Sequence, residues 1–305
     1  MAQKKQSSIS DRIAYANLET LLRIPIIRRK GIIGISDIMS RRDVKFKPNK
    51  NHEYYSTSFG GVKADVIKKK NTDFRKIILY FHLGAFVSGL TDTHREVGEM
   101  FLKYSDADTV VVSDYRTAPE FLFPAAHEDA YSTYVSLREN YPNAKIITAG
   151  DSSGGNLAIA LVLMARDRNV ILPDAAVLIS PWVDFTRSGE SYKRNFNSDP
   201  MFGYMATKKD KEFIEMYASK ADKKDRYLSP VFSEFDSVPP LLIQICSNEM
   251  LYDEAMIIKE KTEKAGGKVQ TIIYDNMYHS FQTVSPTAIS SRKAWEDTGK
   301  FINEI

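Results

Sequence analysis

Five short runs of almost purely apolar residues recur along this chain, four of them followed by a stretch that reads as a helix. The runs are 77–81 (IILYF), 109–112 (TVVV), 146–148 (IIT), 176–179 (AVLI) and 241–245 (LLIQI). A strand that is apolar on both of its faces must be covered on both, so such runs indicate a parallel sheet between two helix layers. The helical stretches sit at 97–104, 124–137, 156–161, around Ala255, Ile258 and Lys261, and at 286–301; a last strand spans 269–274. Strand and helix in repeated alternation predict an α/β fold with a mostly parallel sheet and helices on both faces.

Two parts of the chain fall outside this rhythm. In the first 50 residues, Ile9, Ile13, Ala14 and Ala16 suggest an amphipathic helix, and no strand pattern appears before 62–67. Between Asp184 and Ser229 lie some 45 charged, helix-like residues. An excursion of that length between core elements is more often functional than idle. The expected organisation is a catalytic domain over 51–305, with an insertion at about 185–225. That insertion and residues 1–50 would together form a helical cap.

With 305 residues, 43% of them hydrophobic, the chain can bury a full core. Its 42 basic and 39 acidic residues leave a net charge of +3, and no long basic run argues for a nucleic-acid partner. Residues 1–8 are polar and no apolar run follows them, so no secretory leader is expected and a cytoplasmic location is. The longest apolar run, 157–165, is too short to span a bilayer. The single cysteine, Cys246, lies in an apolar run, which excludes an intrachain disulfide and a cysteine-based zinc site.

The chemistry centres on Gly150-Asp151-Ser152-Ser153-Gly154-Gly155. It reads Gly-x-Ser-x-Gly between a strand and a helix, the context in which a sharp turn holds a serine hydroxyl out for attack. In isolation the pentapeptide is common, and the flanking elements are what make Ser152 a nucleophile candidate. A serine nucleophile needs a base, an acid to orient it, and donors for the oxyanion. Of five histidines, His94 and His127 sit in or beside helices and His52 in a polar loop. His82 ends a strand, and His279 follows the last one. Loops at the carboxyl ends of parallel strands are where such sheets carry their chemistry, and His279 is the best base. By position both Glu249 and Asp253 qualify as the acid. Asp253 also suits a first-turn charge complementing a helix dipole.

The elbow resembles the Gly-Asp-Ser-Ala-Gly-Gly motif of the hormone-sensitive-lipase-like esterases. The supporting matches are Asp114-Tyr115-Arg116-Thr117-Ala118-Pro119-Glu120, Phe123-Pro124-Ala125-Ala126, Ser180-Pro181-Trp182-Val183-Asp184 and Ser188-Gly189-Glu190-Ser191. The resemblance runs from about residue 76 to 283, and it implies an α/β-hydrolase fold with a cap. It also implies a triad of Ser152, His279 and Glu249, the last falling where the family's acid motif opens. Backbone N–H groups of Gly84, Ala85 and Ser153 would then form the oxyanion hole. The family's His-Gly-Gly-Gly loop is here His82-Leu83-Gly84-Ala85, so Leu83 and Ala85 replace glycines. Leu83, Phe86, Met201 and Phe202 are the expected substrate contacts, with Ile13, Leu18, Leu22, Met205 and Met216 as further lid candidates.

The expected activity is hydrolysis of short-to-medium acyl esters through an acyl-enzyme, with a small-molecule ester as the partner and no metal or organic cofactor. Amide or acetyl-group cleavage by the same triad is the alternative. A non-catalytic ligand-binding protein on the same scaffold is a third. Assembly as a homodimer is left open.

Overall fold

The computed structural model describes residues 3–5, 45–205, 209–286 and 289–305. In chain order the strands are β1 (Gln3–Lys5), β2 (His52–Phe59), β3 (Val62–Lys69), β4 (Lys76–Phe81), β5 (Thr109–Ser113), β6 (Lys145–Asp151), β7 (Ala175–Ile179), β8 (Leu241–Cys246) and β9 (Val269–Tyr274). The helices are α1 (Asp92–Tyr104), α2 (Ala125–Asn140), α3 (Ser153–Asp167), α4 (Ser191–Arg194), α5 (Phe202–Met205), α6 (Lys209–Ala218), α7 (Tyr252–Lys264), α8 (Phe281–Val284) and α9 (Ile289–Asn303).

The strands form one sheet in the order β1-β9-β8-β7-β6-β4-β5-β3-β2. All neighbours are parallel except β2 with β3 and β3 with β5. This is the α/β-hydrolase fold. The apolar runs supply both faces, as their composition requires. Ile77, Leu79 and Phe81 of β4 pack into one core with Leu157 and Leu161 of α3. Ile78 and Tyr80 turn to the other face, among Phe101 of α1 and Trp295 of α9. Alternate side chains of one strand thus enter two separate cores.

Two strands depart from expectation. β2 begins at His52, in what reads as a polar loop, and six of its eight residues are exposed. An antiparallel edge strand with one neighbour needs no apolar alternation, so its sequence carries no strand signal. It is set by a tight turn at Gly60 (φ 57°) and Gly61 (φ 82°), a left-handed pair that brings Phe59 opposite Val62. Residues 3–5, expected within the cap, instead lie parallel to β9 at the sheet edge. Ile13, Leu18 and Leu22 lie outside the described residues. The segment between β7 and β8 carries α4, α5 and α6 and, among the described residues, no strand. Ile214, Tyr217 and Ala218 of α6 join the core that holds α3, and Met216 packs against it.

Candidate active site

Ser152 stands between the end of β6 and the start of α3 with φ 55° and ψ −119°, a conformation costly for a side-chain-bearing residue. Three backbone bonds hold it there. Ser152 N donates to Ile179 O (2.9 Å), while Ser152 O accepts from Asn156 N (3.1 Å) and Trp182 N (3.0 Å). The glycines of the motif are steric necessities. A Cβ on Gly150 would lie 2.1 Å from Gly154 O, and one on Gly154 would lie 2.0 Å from Phe81 O. The second contact also shows that the end of β4, where the His82 loop begins, lies against the first turn of α3.

β7, β8 and β9 are adjacent in the sheet, so the loops after them meet near the end of β6. His279 Nδ1 lies 2.7 Å from Glu249 Oε2, and both side chains are buried. Glu249 Oε1 accepts from Ser180 Oγ (2.7 Å) and Cys246 N (2.8 Å). Ser180 Oγ also accepts from Ser280 N (3.2 Å), so one hydroxyl ties the acid to the residue after the histidine. His279 Nε2 is buried and has no hydrogen-bond partner among the described residues. With the Glu249 carboxylate on Nδ1, that nitrogen carries the proton and Nε2 keeps a lone pair. Asp253 is occupied elsewhere: its carboxylate accepts from Ser191 N (2.7 Å) and Arg194 Nη2 (2.7 Å), anchoring α4. This separates the two acids that the sequence leaves open.

Asp151, beside the nucleophile, accepts from Tyr80 Oη (2.8 Å) and Thr283 Oγ1 (2.6 Å). It thereby joins the serine turn to α8, just beyond His279. Burial pushes its pKa up to about 6.

The loop at 82–86 is strained in the way its residues foretell. Gly84 has φ 147°, and Ala85 and Phe86 follow at 52° and 63°. Gly84 O accepts from Val87 N and Ser88 N, closing the loop on itself. Among the backbone–backbone bonds outside the helices and strands, none starts from the N–H of Gly84, Ala85 or Ser153. His82 serves as the floor of this loop. It stacks between His94 (4.3 Å) and Tyr115 (4.5 Å), its Nδ1 lies 2.7 Å from Leu83 O, and Tyr115 Oη donates to His82 O (2.8 Å). Burial lowers its pKa to about 4, which keeps it neutral. His127 is neutral for the same reason and binds Tyr217 Oη (3.0 Å) and Asn156 Oδ1 (3.0 Å).

The expected substrate contacts divide. Phe202 sets its ring edge-on to His279, at 4.6 Å between centroids. Met201 is buried beside it in the chain, and Leu83 is half-buried. Phe86 is fully buried, stacked on Tyr217 at 4.3 Å, so it has no exposed surface to offer a substrate. Sequence reasoning missed Ser180 and the buried Asp199, whose carboxylate accepts from Met250 N (2.8 Å) in the turn after Glu249. Ser180 opens a recognisable motif, whereas nothing local marks Asp199. Among the described residues no group of three or more His, Cys, Asp or Glu side chains could hold a metal ion. No described helix is long and apolar enough to cross a membrane.

A family model of the alpha/beta hydrolase fold matches residues 78–283. An acetyl-hydrolase of Streptomyces hygroscopicus is 32% identical over 244 residues, 80% of each chain. An esterase of Acinetobacter venetianus is 29% identical over 262 residues, 85% of each. Among solved structures, an esterase/lipase from an uncultured bacterium superposes with a TM-score of 0.86 at 29% identity, covering 98% of this chain and 99% of that one. An esterase from the bacterial hormone-sensitive lipase family gives 0.85 at 26% identity, covering 98% of each. Sheet order, strained serine turn and sequence likeness agree, and the chain belongs to the α/β-hydrolase fold family, in its hormone-sensitive-lipase-like branch.

Proposed function

We propose that this protein is a carboxylic ester hydrolase acting through Ser152, His279 and Glu249 on short-to-medium acyl esters. The observation that carries the reading is the buried 2.7 Å contact of Glu249 with His279 Nδ1, which leaves Nε2 unpartnered among the described residues, with Ser152 held on a strained turn. In the first step Nε2 takes the Ser152 hydroxyl proton as Oγ bonds to the ester carbonyl carbon. The N–H groups of Gly84, Ala85 and Ser153 are the donors for the oxyanion that forms, each worth about 100–1000-fold in turnover. The imidazolium then protonates the alcohol oxygen, the C–O bond breaks, and an acyl-serine remains. Water repeats the cycle and frees the acid.

Part of the segment 185–225 acts as a cap over this centre; residues 6–44, expected to share in that cap, lie outside the described residues. Phe202 is the cap residue set against the base, and it bounds the space for the acyl chain. The acetyl-hydrolase name of the Streptomyces relative supports the short end of the acyl range. The test is turnover of p-nitrophenyl acetate through decanoate by the wild type and Ser152→Ala. Activity should peak at short acyl chains and vanish in the variant. Equal rates for the two proteins would end the assignment.

A further inference from the structure

Asp199 lies in the inserted segment, fully enclosed, and none of the chemistry above uses it. Its Oδ1 accepts from Met201 N (2.9 Å) and Phe202 N (3.0 Å), which fixes the start of α5. Its Oδ2 accepts from Met250 N (2.8 Å), in the turn that carries Glu249. Two neighbouring ties bind the same pair of segments. Asn195 Nδ2 donates to Ser247 O (3.1 Å) and Glu249 O (2.7 Å), and Asn248 Nδ2 donates to Ser198 O (3.0 Å). One carboxylate therefore joins two backbone segments of different loops, and the residue it positions on one side is the ring against His279.

We propose that Asp199 is a positioning residue of the hydrolytic site, pinning the Phe202 ring over His279 and the Glu249 turn beneath it as one unit. The proposal rests on the Ser152–His279–Glu249 reading and deepens it. The role favours the carboxylate form, because three backbone N–H groups donate to it and an ionised acceptor holds them more strongly than a neutral carboxyl. The titratable groups facing Asp199 are Glu249, His279 and Cys246. Burial first, and then the Glu249 charge, push its pKa up to about 6. The clamp is thus closed at neutral pH and opens in mild acid.

The experiment compares the wild type with Asp199→Asn, Phe202→Ala and the double variant, using p-nitrophenyl butyrate across pH 5–8. Each single substitution should lower kcat/KM about tenfold, Asp199→Asn through one lost charge-assisted hydrogen bond and Phe202→Ala through loss of the ring that the bond positions. The double variant should be no worse than the poorer single one, because both act through the same ring. The ratio of the wild-type profile to the Asp199→Asn profile should show an inflection near pH 6. Asp151 titrates in the same range but is untouched by these changes, so its contribution is common to all profiles. Phenylmethylsulfonyl fluoride should label Ser152 once in every variant and not at all in Ser152→Ala.

Labelling elsewhere would overturn the triad reading itself. Normal labelling with additive losses and superimposable profiles would overturn the clamp alone and leave Asp199 a loop brace. If Asp199→Asn folds poorly by circular dichroism, Phe202→Ala carries the test: the ratio of the wild-type profile to the Phe202→Ala profile should bend near pH 6, and a flat ratio would refute the proposal.

Discussion

Glu249→Gln isolates the acid's role almost without changing its volume. The wild-type carboxylate has two oxygens in different tasks: Oε2 faces His279 Nδ1 at 2.7 Å, and Oε1 accepts from Cys246 N at 2.8 Å and Ser180 Oγ at 2.7 Å. An amide has only one acceptor end. The Cys246 N–H belongs to the backbone of β8 and cannot turn away, so the amide oxygen must stay there. Reversing the amide would set two donors face to face in a buried site, at a cost of about 1–3 kcal/mol. The NH2 group therefore faces His279. Its hydrogens force Nδ1 to act as acceptor, which moves the imidazole proton to Nε2, the atom that must take the Ser152 proton. A base held in the wrong tautomer loses about 10⁴-fold in kcat, or roughly 5 kcal/mol of barrier. The assay is kcat and KM for p-nitrophenyl butyrate, with a thermal melt to confirm folding. The paired control is Asp253→Asn, whose carboxylate holds α4 through Ser191 and Arg194 and should leave kcat within about threefold, a barrier change below about 1 kcal/mol. A Glu249→Gln enzyme within about tenfold of wild type, or the reverse order of the two effects, would refute the assignment of the acid.

Further expectations follow from the same geometry. Gly154→Ala places a Cβ 2.0 Å from Phe81 O, so the elbow and the 82–86 loop must separate; loss of both soluble yield and esterase activity is expected, and wild-type rates would contradict the packing. Ala85→Gly removes a side chain from a residue at φ 52° while keeping its N–H; the melting temperature should hold or rise and kcat should survive, as a thermal melt and rate assay will show. His127 has a folded pKa of about 4 against 6.5 for the free side chain, so the unfolded chain binds the extra proton between those values. Its contribution to stability therefore falls as pH drops from 6.5 to 4, by on the order of 3 kcal/mol, and is constant above. His127→Gln should reduce the slope of melting temperature across that window, leaving the share that His82 contributes, and an unchanged slope would show that the imidazole is not held neutral.

Much of the architecture was readable because it depends on local pattern. A strand covered on both faces must be apolar at nearly every position, and β4, β5, β6, β7 and β8 announce themselves that way. β2 does not, because exposure on the sheet edge removes the requirement that generates the pattern. The serine turn was legible too, since Gly150 answers to atoms only a few residues away. Phe86 misleads for the opposite reason. Its place after the oxyanion loop suggests a substrate contact, yet α6 arrives from far along the chain to bury it against Tyr217.

The amino-acid sequence by itself determined the sheet and its helix layers, the nucleophile candidate Ser152, and the order in which serine, acid and histidine reach the strand ends. Periodicity and turn sterics act over a few residues, so they are written where they operate. Only the tertiary structure decided that Glu249 rather than Asp253 meets His279, that Ser180 joins acid to histidine, and that Asp199 binds the inserted segment to the acid turn. Those contacts join loops that the chain separates by 30 to 100 residues and that the sheet order β9-β8-β7-β6 sets side by side. Side-chain spacing along one strand says nothing about which neighbour's loop a carboxylate will face.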